Sequence, residues 1–447
     1  MKKYLSLALS LLLVAGLFSG CGNKNTSGTE SVTVRFLNFK PEIAEQYEEI
    51  AKKYEDEKGV KVSVETAASN TYESTLTAKM STSSAPTIFQ INGPRGYATW
   101  KDYCEDLTDS KLYEHLTDKS LAIKSNDKVY GIPYTVEGYG IIYNEEIMDK
   151  YFKSSKKSTN YKSVDEIKSY KALKEVVEDM QKLKSELGID GVFASTSLKS
   201  GEDWRWQTHL LNIPIYKEFN DNKTDLSSDD VKNIQFKYSD NYKNIFDLYT
   251  DNSVTDKKLL GSKIVDESMA EFAKGKCAMV QNGNWAWSQI SKISGNVVKE
   301  DKIKFMPIYM GLKGEEKQGI CIGTENYLCI NKKASDKEKT AAKDFIYWLF
   351  SSETGKKYVL NNLDLIAPFD TFGDTEVPND PLSKQVLEWS KKTDTETIPW
   401  VFTVFPSQNF KNSVGSDLLQ YVQGKKGWND FKSTVTNEWK KESANLK

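Results

Sequence analysis

The chain has 447 residues, enough for about two or three domains and a sizeable buried core. With 61 basic against 63 acidic side chains, and only Arg35, Arg95 and Arg205 carrying a guanidinium, a nucleic-acid surface and arginine-cluster recognition of phosphate are excluded. A hydrophobic fraction of 38% with 28% charged residues excludes a wholly disordered chain and a multi-span membrane protein.

Met1–Cys21 reads MKKYLSLALSLLLVAGLFSGC: two lysines, an apolar run from Leu5 to Phe18, then Ser19 and Gly20 before a cysteine. This pattern predicts a secretory leader over residues 1–20, its apolar run shorter than the roughly 20 residues that span a bilayer. Its end resembles a bacterial lipobox, with Phe18 where leucine is usual. That resemblance implies a diacylglyceryl anchor on Cys21, whose two chains suffice for stable membrane attachment. Ordinary cleavage nearby is the alternative. Residues 22–31 hold no apolar side chain and read as a solvated tether.

Alternation over 31–38 (SVTVRFLN) predicts a strand, after which Ile43, Tyr47, Ile50, Ala51 and Tyr54 fall on one side of a helix over 43–58. A strand over 60–67, a helix over 71–81 and a buried strand over 86–91 complete an open α/β arrangement. Ligands of such sheets gather at the carboxyl ends of strands, here Asn38, Phe39, Asn92 and Gly93. Residues 129–144 form two extended runs around Pro133 and Gly138 and suit a passage between lobes. Helices are expected over 164–187, 234–249, 265–274 and 335–350 and again after Ile398, with a short buried strand over 277–281. No internal repeat, P-loop, GxGxxG or GxSxG pattern occurs. Cys104, Cys277, Cys321 and Cys329, with only His115 and His209 beside them, show no metal-ligand spacing, so neither metal nor cofactor is expected. The four cysteines read as small buried hydrophobes, with a Cys321–Cys329 bridge across a turn as the alternative.

Aromatic residues recur beside turn and amide residues in Asn92–Tyr97, Gly201–Gln207, Asn282–Trp287 and Pro399–Phe405. Glycine and asparagine end the regular element there, so the ring that follows can project into a cleft. Sugars offer apolar CH faces to such rings and a rim of hydroxyls to amides, carboxylates and arginine. Trp100, Trp287, Trp348, Trp389, Trp428 and Trp439 read as packing residues.

Three stretches, GIPYTVEGYGIIYN (131–144), GKCAMVQNGNWAWSQI (275–290) and AAKDFIYWLFSSETGKKYV (341–359), resemble the extracellular solute-binding proteins (family 1) of carbohydrate ABC importers, in particular their maltose-binding members. The resemblance implies an α/β, two-lobed periplasmic-binding-protein-like fold of type II, open sheets flanked by helices with the ligand cleft between the lobes. The lobes expected are 32–135 plus about 315–362 and about 138–312 plus about 365–447. It further implies that Trp285 stacks on the ligand, that Glu137 in the crossing segment meets sugar hydroxyls, and that Asn92 holds a polar position at a strand end with Arg95 close by. Glu202 and Trp204 match a carboxylate and an aromatic of the sugar site, Phe405 another stacking position, and Phe39 and Lys40 the first-strand loop; Asn284 belongs to the turn before Trp285. The implied role is non-enzymatic: a monomer, lipid-anchored at the extracellular face of a membrane of Gram-positive type, captures an oligosaccharide for the transmembrane subunits of a permease. A secreted glycoside hydrolase using Glu137 and Glu202, or a binder of a non-sugar solute, are the alternatives.

Overall fold

The computed structural model describes residues 32–67, 69–226 and 228–445; the leader, Cys21 and the tether lie outside the described residues. Eleven strands are described: β1 (Thr33–Asn38), β2 (Lys61–Thr66), β3 (Ile88–Asn92), β4 (Ile123–Ser125), β5 (Lys128–Pro133), β6 (Glu137–Asn144), β7 (Met279–Gly283), β8 (Ile303–Met306), β9 (Gln318–Gly323), β10 (Asn326–Ile330) and β11 (Glu396–Ile398). They form two sheets, one ordered β2-β1-β3-β10-β5-β4 and the other β11-β9-β6-β7 with β8 also on β6. Helices flank both, which is the two-lobed α/β architecture expected from the sequence.

The first lobe follows its hydrophobic pattern closely. The helix Ala44–Lys58 buries Tyr47, Ile50, Ala51 and Tyr54, each inside a core that includes Phe36, Phe345 and Leu349. Tyr47 meets Phe36 edge-on at 5.2 Å, and Tyr54 meets both Phe345 and Trp348 at 5.0 Å. Burying an aliphatic residue such as Ile50 contributes roughly 1.5 to 3 kcal/mol. The other face of the sheet carries Leu37, Tyr72, Leu76, Phe89 and Trp100. The single helix expected over 164–187 is interrupted: a short turn at Val164–Glu166 precedes helices Tyr170–Lys182 and Lys184–Leu187.

The chain passes between the sheets at 134–136, 324–325 and 363–366. The first and third passages are tied together where Val136 N–H donates to the Ile366 carbonyl at 2.8 Å. The second corrects the boundary expected near 315: β9 lies in the second sheet, antiparallel to β6 and parallel to β11. The polar Gly323–Asn326 (GTEN) breaks the apolar alternation and reads as a hairpin turn, so the sequence marks an interruption there but not that the chain changes sheet. The same crossing removes the proposed cysteine bridge, because Cys321 sits opposite Tyr139 in the second sheet whereas Cys329 sits opposite Phe89 in the first. Cys104, Cys277, Cys321 and Cys329 are all buried and free, and burial pushes the Cys321 thiol up to about 12.

Candidate ligand cleft

Strand β7 ends at Gly283, and Trp285 follows as a half-buried residue between the sheets. Around it stand Trp204 at 5.9 Å, His209 at 5.6 Å and Trp400 at 6.5 Å between ring centroids. Phe402 extends the wall, 4.9 Å from His209 and 5.1 Å from Trp400. Trp400 lies directly on the backbone of Gly323, where an added Cβ would come within 2.6 Å of the indole Cγ, so only glycine admits the ring there. Three polar atoms of this wall, Nε1 of Trp285, Nε1 of Trp400 and Nε2 of His209, are buried without a partner among the described residues. Burial, reinforced by the charge of Arg205, holds the His209 imidazole well below its ordinary pKa and therefore neutral. Unpaired buried polar atoms are costly, so a cluster of them marks a surface built to meet a polar ligand.

The first lobe reaches this wall through Lys40, in the loop after β1. The side chain of Asn38 brackets the Lys40 backbone, donating to its carbonyl at 2.8 Å and accepting from its N–H at 3.1 Å. The ammonium then crosses to Glu137 at 2.6 Å, with Glu42 at 3.6 Å, and stands 5.8 Å from the Trp285 ring centroid. Burial opposes the charge on Lys40, but Glu137 and Glu42 outweigh it and hold the ammonium above its ordinary pKa. Asn92, at the end of β3, donates to Glu325 at 3.4 Å and keeps a buried Oδ1 without a partner. Glu325 is pushed up to about 7, first by burial and then by the charge of Glu137.

The lobes also touch away from Lys40. Arg95 Nε donates to the Val404 carbonyl at 3.2 Å, and a Cβ on Gly93 would lie 2.7 Å from Thr403 Cβ. Gly93 has φ +62°, so a side chain there strains the backbone as well as the contact. Gly93→Val is therefore expected to hold the lobes apart and weaken ligand binding by about tenfold or more, since binding draws on the closed form. A titration of the variant, paired with small-angle scattering for a larger radius of gyration, checks this.

Beside the Lys40–Glu137 pair lies a cavity of about 20 Å³ bounded by Trp285, Asp364 and Asp380, room for about one water. Asp380 accepts from Ser383 N–H at 2.8 Å through Oδ1, while Oδ2 is buried without a partner. Burial pushes this carboxyl up to about 7 from 3.8. The folded form therefore holds the proton more tightly than the unfolded form, and this contribution to stability is lost as pH rises from about 4 through about 7. Asp380→Asn, which keeps the Ser383 bond, is expected to raise stability by about 1 to 2 kcal/mol at pH 8 and by less at pH 5. Thermal melts of both forms across that range measure it.

Of the residues singled out from sequence, the structure brings Trp285, Trp204, Glu137, Lys40, Asn92 and Arg95 to the facing surfaces of the two lobes. The other four are engaged as follows. Phe405 is buried in the second lobe against Trp439 at 5.0 Å and Phe410 at 5.9 Å, because the turn Val401–Val404 sets Phe402 beside His209 and Trp400 and sends Phe405 among the C-terminal helices. Glu202 accepts from Val265 N–H at 2.7 Å and so caps the helix Val265–Ala273. Asn284 lines the cavity beside Lys40, Glu137 and Trp285 while its amide is engaged within the second lobe, accepting from Gly138 N–H and donating to Ser383 Oγ, both at 3.0 Å. Phe39 packs edge-on against Tyr72 at 5.1 Å, and its N–H donates to the Gln90 side chain. His209, Trp400, Phe402 and Glu325 were not singled out. Trp400 and Phe402 fall inside the Pro399–Phe405 segment, whose composition was the available signal; the other two had none.

Residues 49–384 match the family described as bacterial extracellular solute-binding proteins. No curated protein matches the chain in sequence. Solved structures share its fold along nearly the whole length. A chitin-oligosaccharide-binding protein is 17% identical with a TM-score of 0.69 over 93% of this chain and 100% of its own. A Bacillus licheniformis sugar transporter in complex with stachyose is 16% identical, TM-score 0.65, over 92% and 100%. Maltose-bound MalE3 of T. maritima is 15% identical, TM-score 0.63, over 92% and 99%. With a family match that spans most of the chain and a two-lobed fold closing on an aromatic cleft, this protein belongs to the bacterial extracellular solute-binding proteins.

Proposed function

We propose that the chain is the substrate-binding component of an ABC importer, lipid-anchored through Cys21 at the extracellular face of a Gram-positive membrane, and that it captures an oligosaccharide for the transmembrane subunits of its permease. The observation that carries this reading is the wall of Trp204, His209, Trp285, Trp400 and Phe402 with three unpartnered polar atoms among its rings. Ring faces cover the CH surfaces of a sugar, and the free N–H groups and imidazole nitrogen meet its hydroxyls. The names of three neighbours in fold, which speak of chitin oligosaccharide, stachyose and maltose, point the same way. Ligand enters when the lobes part and is held when Lys40, Gly93 and Arg95 return to the second lobe, a hinge closure around the three crossing segments. The protein acts as a monomer and without catalysis. Lys40 engages Glu137 and the Val265 backbone engages Glu202, the carboxylates named for the hydrolase alternative.

The test is a thermal-shift panel on residues 22–447 with α-glucans, α-galactosides, β-linked glucans and xylo-oligosaccharides beside polyamines and peptides. A ligand at about 100 times its dissociation constant adds about 2.7 kcal/mol to the folded form. A shift with one saccharide class is the expected result. A shift with a non-sugar ligand alone would overturn the carbohydrate assignment, and release of reducing ends from a bound saccharide would overturn the non-enzymatic one.

A further inference from the structure

The charges facing the cleft are unevenly paired. Arg205, at the start of the turn that follows Trp204, is 3% exposed and forms no ion pair within 4.0 Å among the described residues. Its Nε and Nη1 are buried without partners, and its guanidinium lies 3.9 Å from the centroid of the Trp204 ring. The carboxylates whose charge reaches it are Glu202, Glu42 and Asp266. Glu202 accepts from the Val265 backbone, Glu42 faces Lys40, and Asp266 is exposed, so none neutralises it at contact. Burial accordingly lowers Arg205 to about 9. Lys411, on the second lobe facing Glu325 and Glu73 of the first, also lacks an ion pair among the described residues and is lowered by burial. On the acidic side, Glu137 is paired with Lys40, and Glu325 is pushed up to about 7. Lys40 thus has its counter-ion in Glu137, whereas Arg205 and Lys411 have none within 4.0 Å among the described residues.

Buried charges are ordinarily paired, and a guanidinium held against an indole ring with free donors lacks its counter-ion among the described residues. We infer that the saccharide taken by this cleft carries a negatively charged group, a uronate carboxylate or a sulfate, which accepts from the unpartnered N–H groups of Arg205 while its sugar rings lie along Trp204 and Trp285. This rests on the carbohydrate reading above and narrows it to acidic oligosaccharides. The backbone carbonyl of Arg205 accepts from Gln281 Nε2 at 2.9 Å, which fixes the residue independently of its charge and makes its side chain a specificity element.

The test is a set of calorimetric titrations of residues 22–447 at low and high salt with matched pairs: galactobiose against digalacturonate, xylotriose against its glucuronosyl derivative, and galactobiose against its sulfate ester. The anionic member of one pair is expected to bind about tenfold or more tightly than its neutral partner, as a charge-assisted bond in a desolvated site provides. Its affinity falls as salt is raised, and whether the uronate or the sulfate pairs respond tells which anion the site takes. Arg205→Gln is expected to erase the preference, and Arg205→Lys, which keeps the charge, to retain part of it. Neutral members binding as tightly as anionic ones, with no salt response, would overturn the anionic assignment and leave the carbohydrate reading standing. Binding of no saccharide at all would overturn both. The salt response is read on the unaltered chain, so the outcome does not hang on the folding of either variant.

Discussion

Lys40→Met is expected to cost the closed form about 3 to 5 kcal/mol, because it leaves the Glu137 carboxylate buried opposite an apolar side chain. Lys40 and Glu137 are 7% and 3% exposed and meet at 2.6 Å, so water does not screen the loss. Glu137→Gln is milder, since Glu42 at 3.6 Å remains to face the ammonium. Replacing both partners with apolar residues, Lys40→Met with Glu137→Leu, is expected to recover much of the closure that the single lysine variant loses, as buried pairs exchanged whole for apolar groups often are neutral. Distance measurements between labels on the two lobes, beside ligand titrations, read the effect. A double variant that opens as far as Lys40→Met would show that the pair does not set closure.

Trp285→Ala is expected to weaken saccharide binding by about 1 to 3 kcal/mol, the range of a desolvated aromatic anchor. The ring stands among Trp204, His209 and Trp400 and under the ammonium of Lys40, so it belongs to both the stacking wall and the contact between lobes. Trp285→Phe separates two of its roles: it keeps an aromatic plane and removes the unpartnered Nε1. A loss in the alanine variant that phenylalanine largely restores assigns the energy to stacking; a loss common to both assigns it to the hydrogen bond. Unchanged affinity in a folded alanine variant would remove Trp285 from the site.

Periodicity made the first lobe legible. Tyr47, Ile50, Ala51 and Tyr54 repeat at helical spacing and are buried together, and the alternation of SVTVRFLN becomes β1. Glu137 and Trp285 lie in two of the motifs that carry the resemblance, and Lys40 in the loop after the first strand; they converge because strand ends and crossing segments meet at the cleft. What escaped has particular causes. Trp204 and His209 are five residues apart, which an α-helix would place on different faces, but residues 205–210 form a π-helical turn that brings the rings within 4.8 Å. Glu202 bends to a backbone N–H 63 residues away, a contact with no local signal. Phe405 follows a tight turn whose spacing obeys neither the helical nor the strand period, so which of its aromatics packs beside Trp285 and His209 could not be read from order alone. Charge pairing was illegible for the same reason: that Lys40 finds Glu137 while Arg205 finds no carboxylate partner among the described residues depends on contacts between distant segments.

Capture of an oligosaccharide between the lobes, against a tryptophan wall, is tested most directly by a fluorescence titration of residues 22–447 with the saccharide panel. With Trp204, Trp285 and Trp400 in one cluster, a saccharide that binds is expected to change tryptophan emission saturably, and Trp285→Ala to diminish the change and weaken the affinity. A ligand that stabilises the fold while leaving the emission of the unaltered chain unmoved would contradict binding in this cleft.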